Sequence, residues 1–253
     1  QNAVFREFGT GNFKELLTQV SQDPAMLDFL DAGVNIKGSP NENFAREIME
    51  LFTMGVGNYT EQDIREGARA FTGWNHRDLK FVLNADQHDS SQKTFLDKTG
   101  NWDGLDIIDM ILEKPVTAEY ISGKIYKFFV RENIDPALQE ELASFFYNSE
   151  YEITPLLEKI FLSQDFYSSA SMGTHIKSPT DLVVSTYKKL GLNVLPGVPD
   201  FHDTTQSLGQ TLLFPPTVAG WAGGKSWLTP GLLLARGNFV YDTVYPDINF
   251  IPS

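Results

Sequence analysis

The stretch Ser39–Trp74, SPNENFAREIMELFTMGVGNYTEQDIREGARAFTGW, decides how the chain is read, because it spells two helices joined by a short turn. Ser39 suits a helix N-cap, Pro40 the first helical position, and Glu42 completes a capping box. Phe44, Ile48, Leu51 and Phe52 recur at helical spacing and form one buried stripe, and Gly55 supplies the left-handed stop. Thr60 caps again with Asp63 three residues on. Ile64, Ala68 and Phe71 make the second stripe, which Gly73 ends.

The other face of this pair is charged. Arg46 lies four residues from both Glu42 and Glu50, Glu47 lies three from Glu50, and Glu61 lies four from Arg65. One reading is a set of solvated pairs, each contributing roughly 0.3 kcal/mol. The other is a buried Glu/Arg network, or a set of carboxylate ligands beneath a cleft. The cost of burying ion pairs favours the first.

Around this centre the same grammar repeats. Asp, Ser or Thr precedes Pro at 23, 39, 135, 154, 178 and 229, and each pair predicts a helix start. Asp103 with Asp106 predicts another, ended by Pro115, and Thr117 caps the helix carrying Tyr120, Ile121, Ile125, Phe128 and Phe129. Segment 75–96 breaks the pattern: apolar ends flank a polar Asn-Asp-His-Asp-Ser centre, as in a β-hairpin or extended excursion, placed near residues 79–97. Residues 193–199 and the Gly/Pro/Trp-rich stretch Gly209–Trp227 carry no period. The expectation is a mainly α, multi-helix globular bundle of capped antiparallel helix pairs. It forms one domain over 1–253 with a subdomain boundary near 168–177.

Composition narrows the partners. The 253 residues include 42% hydrophobic and 13% aromatic side chains, enough for a substantial core. A net charge of -13 disfavours nucleic-acid backbones and anionic membranes and suits cations or basic protein patches. With no cysteine, disulfides, thiolate zinc sites and cysteine nucleophiles are excluded. No run approaches the ~18 apolar residues of a membrane span. No signal segment precedes QNAVFREF, so a fragment or processed form is expected.

Two constellations could carry chemistry. His88 and Asp89, with Lys93 four residues on, lie in the polar centre of the excursion. Such a trio can bind a metal, act as an acid/base set, or only fix a turn. Joined to Glu42, Glu47 and Glu50, it could hold a divalent cation through oxygen and imidazole ligands. As a catalytic set the candidates are Glu47, His88, Asp89 and Lys93, with Arg46 orienting the carboxylates. In Leu213–Trp227, LFPPTVAGWAGGKSW, Trp221 and Trp227 could stack on sugars or grip proline-rich peptides. The echo of Thr72–Trp74 in its AGW favours core plugs instead. GWAGGKS lacks the phosphate-loop spacing, and neither HExxH nor GxSxG occurs.

NENFAREIMELFTMGVGNYTEQDIREGARAFTGW resembles the signature of the bacterial domain-of-unknown-function family 1800, as do HDSSQKTFLDKTGNWDGLDIIDMIL, Ser178-Pro179 followed by DLVV, and LFPPTVAGW. The matches run in order through nearly the whole chain and include His88, Asp89 and Lys93. The resemblance implies a helical fold, the C-terminal part of a longer family domain, and export to the periplasm or outside the cell. It brings no established activity. It also implies a sulfatase-like exported partner, which makes an accessory or binding protein the leading expectation. A metal- or carboxylate-dependent hydrolase of extracellular polymer is the alternative.

Overall fold

The computed structural model describes residues 1–192 and 200–245, so the aperiodic stretch 193–199 lies outside the described residues. The chain separates into two compact units, Gln1–Ser168 and Ser169–Ser253. The fold is mainly α, with two small antiparallel sheets of two strands each in the first unit. Among the described residues no helix is long and apolar enough to cross a membrane.

The first unit runs α1 (Asn2–Phe8), α2 (Phe13–Ser21), α3 (Pro24–Phe29), α4 (Asn43–Glu50) and α5 (Glu61–Ala70), then β1 (Trp74–Arg77), β2 (Lys80–Leu83), β3 (Lys93–Phe95) and β4 (Lys98–Gly100). It ends with α6 (Gly104–Leu112), α7 (Pro115–Phe129), α8 (Pro136–Asn148) and α9 (Ile153–Phe161). Two capping boxes set helix starts as spacing predicted: Thr60 with Asp63 for α5 and Asp103 with Asp106 for α6. Four of the six Pro dipeptides also cap as expected, through Asp23, Asp135, Ser178 and Thr229.

The other two do not. The Ser39 amide closes a turn onto Ile36 across Gly38, whose φ is 83°, and α4 begins only at Asn43, after Glu42. Thr154 lies inside α9, where its hydroxyl donates to the Thr10 carbonyl at 2.7 Å. Thr117 is likewise internal: Pro115 opens α7 instead of closing α6, and the Thr117 hydroxyl donates to the Ile111 carbonyl. Phe128 and Phe129 on this helix are exposed and meet edge to face, with ring centroids 4.8 Å apart.

The excursion after Trp74 is two tight hairpins. β1 pairs with β2 across Asp78-Leu79, and β3 with β4 across Leu96-Asp97. All four turn residues have positive φ, the geometry that matches strand twist in two-residue loops. The core forms where α4, α5, α6 and these strands converge. Phe44, Ile48, Ile64, Ala68, Phe71, Phe95, Ile107 and Ile111 are each at most 1% exposed. Phe71 stands edge-on to both Phe44 and Trp74, with centroids 5.0 Å apart in each case. At its far side the unit is tied end to start. The Phe13 amide donates to the Tyr151 carbonyl, the Ile153 amide to the Gly11 carbonyl, and Asn12 Nδ2 to Glu150 and Glu152.

The second unit holds α10 (Pro179–Lys189), α11 (Phe201–Ser207) and α12 (Pro230–Val244) around Val183, Tyr187, Leu208 and Phe239. Between α11 and α12 the chain is irregular apart from a short 3-10 turn, Gly224–Leu228.

Candidate functional site

α5 is the spine of the charged region, and each of its ends gathers a separate network. At its N-terminus the Thr60–Asp63 box fixes where Glu61 emerges, and Glu61 meets Arg46 of α4 through both guanidinium arms at 2.9 and 3.2 Å. Arg46 also reaches Glu42 at 3.0 Å and Glu50 at 3.5 Å. Glu61 above all, with Glu42 and Glu50, raises the guanidinium pKa and outweighs burial. Burial first, then a hydrogen bond with Glu50, raises the Tyr59 phenol. Since Arg46 is 32% exposed and Glu61 65%, these are mostly solvated pairs, as the spacing favoured.

Glu47 differs. It is only 9% exposed, and burial first, then the charge of Glu50, raise its carboxyl pKa against the pull of Arg46.

At the other end of α5, Arg69 holds the loop between the hairpins. Its Nε donates to Asp89 at 2.8 Å, one arm to Glu66 at 2.6 Å, and the other to the Ser91 hydroxyl at 2.6 Å and the Gln92 carbonyl at 3.2 Å. The Asp89 amide donates to the Thr72 hydroxyl, which itself donates to the Arg69 carbonyl. Lys93, 1% exposed, turns its ammonium onto the Asp89 and Ser91 carbonyls. Burial lowers its pKa, with Asp89 acting against that. His88 Nδ1 lies 2.8 Å from the Thr72 carbonyl; a carbonyl only accepts, so this nitrogen carries the proton.

α5 also binds β3 directly. The Leu96 amide donates to Asp63 at 2.8 Å and the Thr94 amide to Glu66 at 3.3 Å. Sequence reasoning treated Asp63 as a cap only and did not single out Glu66, Thr72 or Ser91. The bonds of Asp63 to Leu96, Glu66 to Thr94, Thr72 to Asp89 and Ser91 to Arg69 span 17 to 33 residues, beyond any local period, whereas the Glu66–Arg69 pair lies at helical spacing.

The two networks stand eight residues apart along α5, about 12 Å at 1.5 Å per residue. His88, Asp89 and Lys93 are thus brought together with Arg69, whereas Glu42, Arg46, Glu47 and Glu50 gather with Glu61. No hydrogen bond or ion pair among the described residues joins the two sets. Among those residues no group of three or more His, Cys, Asp or Glu is placed to hold a metal. In the second unit Trp227 is 6% exposed and its ring lies beside Gly209, while Trp221 is half-buried.

Asp89 gives a pH prediction. Burial pushes its pKa up, but the hydrogen bonds from Ser91 and Arg69 prevail and hold the carboxyl well below the usual carboxylate range. A carboxyl depressed in the folded state stabilises above its unfolded value, about 3.9, and loses that contribution as pH falls from there toward the folded value. Wild-type protein should therefore lose stability more steeply between about pH 4 and 2 than Asp89→Asn, measured by urea unfolding at each pH. Parallel slopes would count against the assignment.

A profile for the family described as Protein of unknown function (DUF1800) matches residues 1–247. No curated protein and no solved structure matches the chain.

Proposed function

We propose, from the premise that the chain belongs to the DUF1800 family, that it is a binding protein that works through a protein partner on a helical-bundle scaffold. The observation that carries this is the outward face of α12. Leu232, Ala235 and Phe239 turn toward the core of the second unit. Leu233, Leu234, Val240, Tyr241, Val244 and Tyr245 recur at helical spacing on the opposite side, exposed by 49 to 67%. Gly237 continues the stripe with open space where a side chain would stand. A helix apolar on both sides has one face for its own core and one for something else.

The partner class that the family resemblance suggests is a sulfatase-like exported protein, encountered in the periplasm or outside a bacterial cell. A rim of basic residues on that partner would complement the -13 charge of this chain. The hydrolase reading has less support, because His88, Asp89 and Lys93 are engaged with Thr72, Arg69 and backbone carbonyls.

The test is titration calorimetry of the full chain against the sulfatase-like protein of the same organism. The double variant Leu234→Asp/Tyr241→Asp should keep its circular dichroism and bind at least about 30-fold more weakly, as expected for loss of a central aromatic anchor. Unchanged affinity in a folded variant, or no binding by the wild type, would overturn this reading.

A further inference from the structure

Glu47 is nine-tenths buried, yet no hydrogen bond or ion pair reaches its carboxyl among the described residues. A largely buried carboxylate without a partner is costly to keep charged. Its oxygens are not sealed from solvent, since they are absent from the fully enclosed polar atoms that lack partners. The neighbouring guanidinium does not serve it: Arg46 spends its arms on Glu42, Glu50 and Glu61. Glu42, Glu50 and Glu61 thus take up that one central cation, with Arg65 acting on Glu61 from outside, and Glu47 is left without a bonded partner.

The backbone beneath is also irregular. The amides of both Leu51 and Phe52 donate to the Glu47 carbonyl, at 3.0 and 3.2 Å, and the Met54 amide reaches back five residues to Met49. Such widened turns are common where a helix ends. On the α7 side, Lys124 and Tyr120 direct their polar ends to the Leu51 carbonyl, so neither neutralises Glu47.

We propose that Glu47 and Glu50, three residues apart at the end of α4, form a subsite for a primary ammonium group. A compact three-donor ammonium at the end of an alkyl chain suits two carboxyls one helical turn apart better than a broad planar guanidinium does. Two carboxylates are too few for a metal set, consistent with the lack of any three-ligand cluster among the described residues. The ammonium could belong to a free alkylamine or to a lysine side chain. The subsite is independent of the α12 face.

Proton and ammonium would compete for Glu47. Because burial and Glu50 raise its pKa in the folded chain, the proton is held more tightly than in the unfolded chain. That contribution to stability is present at low pH and lost as pH rises through the folded value. Ammonium binding runs the other way and weakens as pH falls through the same range.

The experiment uses the full chain with n-butylamine, with a neutral tripeptide carrying one lysine, and with Ca²⁺ or Mg²⁺ alone. Binding is read by calorimetry and thermal shift between pH 4 and 8, on wild type and Glu47→Gln. We expect an amine to bind the wild type and raise its Tm, at least tenfold weaker binding to Glu47→Gln, and weaker binding at pH 4 than at pH 8. Preference for the tripeptide over butylamine would assign the ammonium to a protein lysine, and the reverse to a free amine. Binding of neither amine, equal binding to Glu47→Gln, or binding of the metals alone would overturn the proposal. Glu47→Gln preserves shape, and a thermal scan of that variant without ligand separates lost binding from lost folding.

Discussion

Arg69→Ala should lower the unfolding free energy by about 3 kcal/mol, because it removes the one cation that two carboxylates share. Asp89 and Glu66 are 13% and 11% exposed at their side chains, and both lean on the same guanidinium. Ser91 and the Gln92 carbonyl lose their bonds to the guanidinium as well, so the loop between the hairpins is released from the end of α5. Arg69→Lys should fall between wild type and Ala: it restores the charge but not the fork that reaches Asp89, Glu66 and Ser91 together. Urea denaturation followed by circular dichroism measures both. A loss below about 1 kcal/mol for Arg69→Ala would mean that solvent already satisfies these carboxylates.

Gly73→Ala is the second large effect, expected at about 3 kcal/mol. Gly73 has φ 80°, and a Cβ there would lie 2.5 Å from the Asn84 carbonyl oxygen and 3.1 Å from the His88 nitrogen. Those atoms cannot retreat, because the Asn84 amide donates to the Gly73 carbonyl at 2.7 Å and the Gly73 amide to Asn35 at 3.0 Å. Gly57→Ala is the control. Its φ is 90°, but nothing lies within 4 Å of the added methyl, so only the backbone penalty of roughly 1 kcal/mol applies. Equal losses in the two variants, measured in parallel denaturant titrations, would remove the steric argument.

Local signals carried the elements far better than the site. Thr60-x-x-Asp63 and Asp103-x-x-Asp106 could be read because a capping box is closed by residues three apart. Ser39-Pro40 carries the same kind of signal and fails, since the turn across Gly38 satisfies the Ser39 amide before a helix can begin. The bonds of Arg46 to Glu42 and Glu50 were legible at helical spacing, whereas its two-armed bond to Glu61, fifteen residues on, was not. Nothing in the order of residues announces that Arg69 will meet Asp89, or that the Leu96 and Thr94 amides will hang on Asp63 and Glu66. Those partners are set by packing of Phe95 and Phe71 into one core, which local periodicity cannot rank.

The tie between residues 11–13 and 150–153 governs the order in which the first unit can be completed on the ribosome. Its two halves leave the exit tunnel about 140 residues apart, so α2 must wait, uncapped by its final neighbour, until α8 has been made. Closing so long a loop costs about 4 kcal/mol of chain entropy, which the intervening helices must first reduce by shortening the span. Of the two tied segments, residues 11–13 are therefore made first, yet they are among the last of this unit to be fastened.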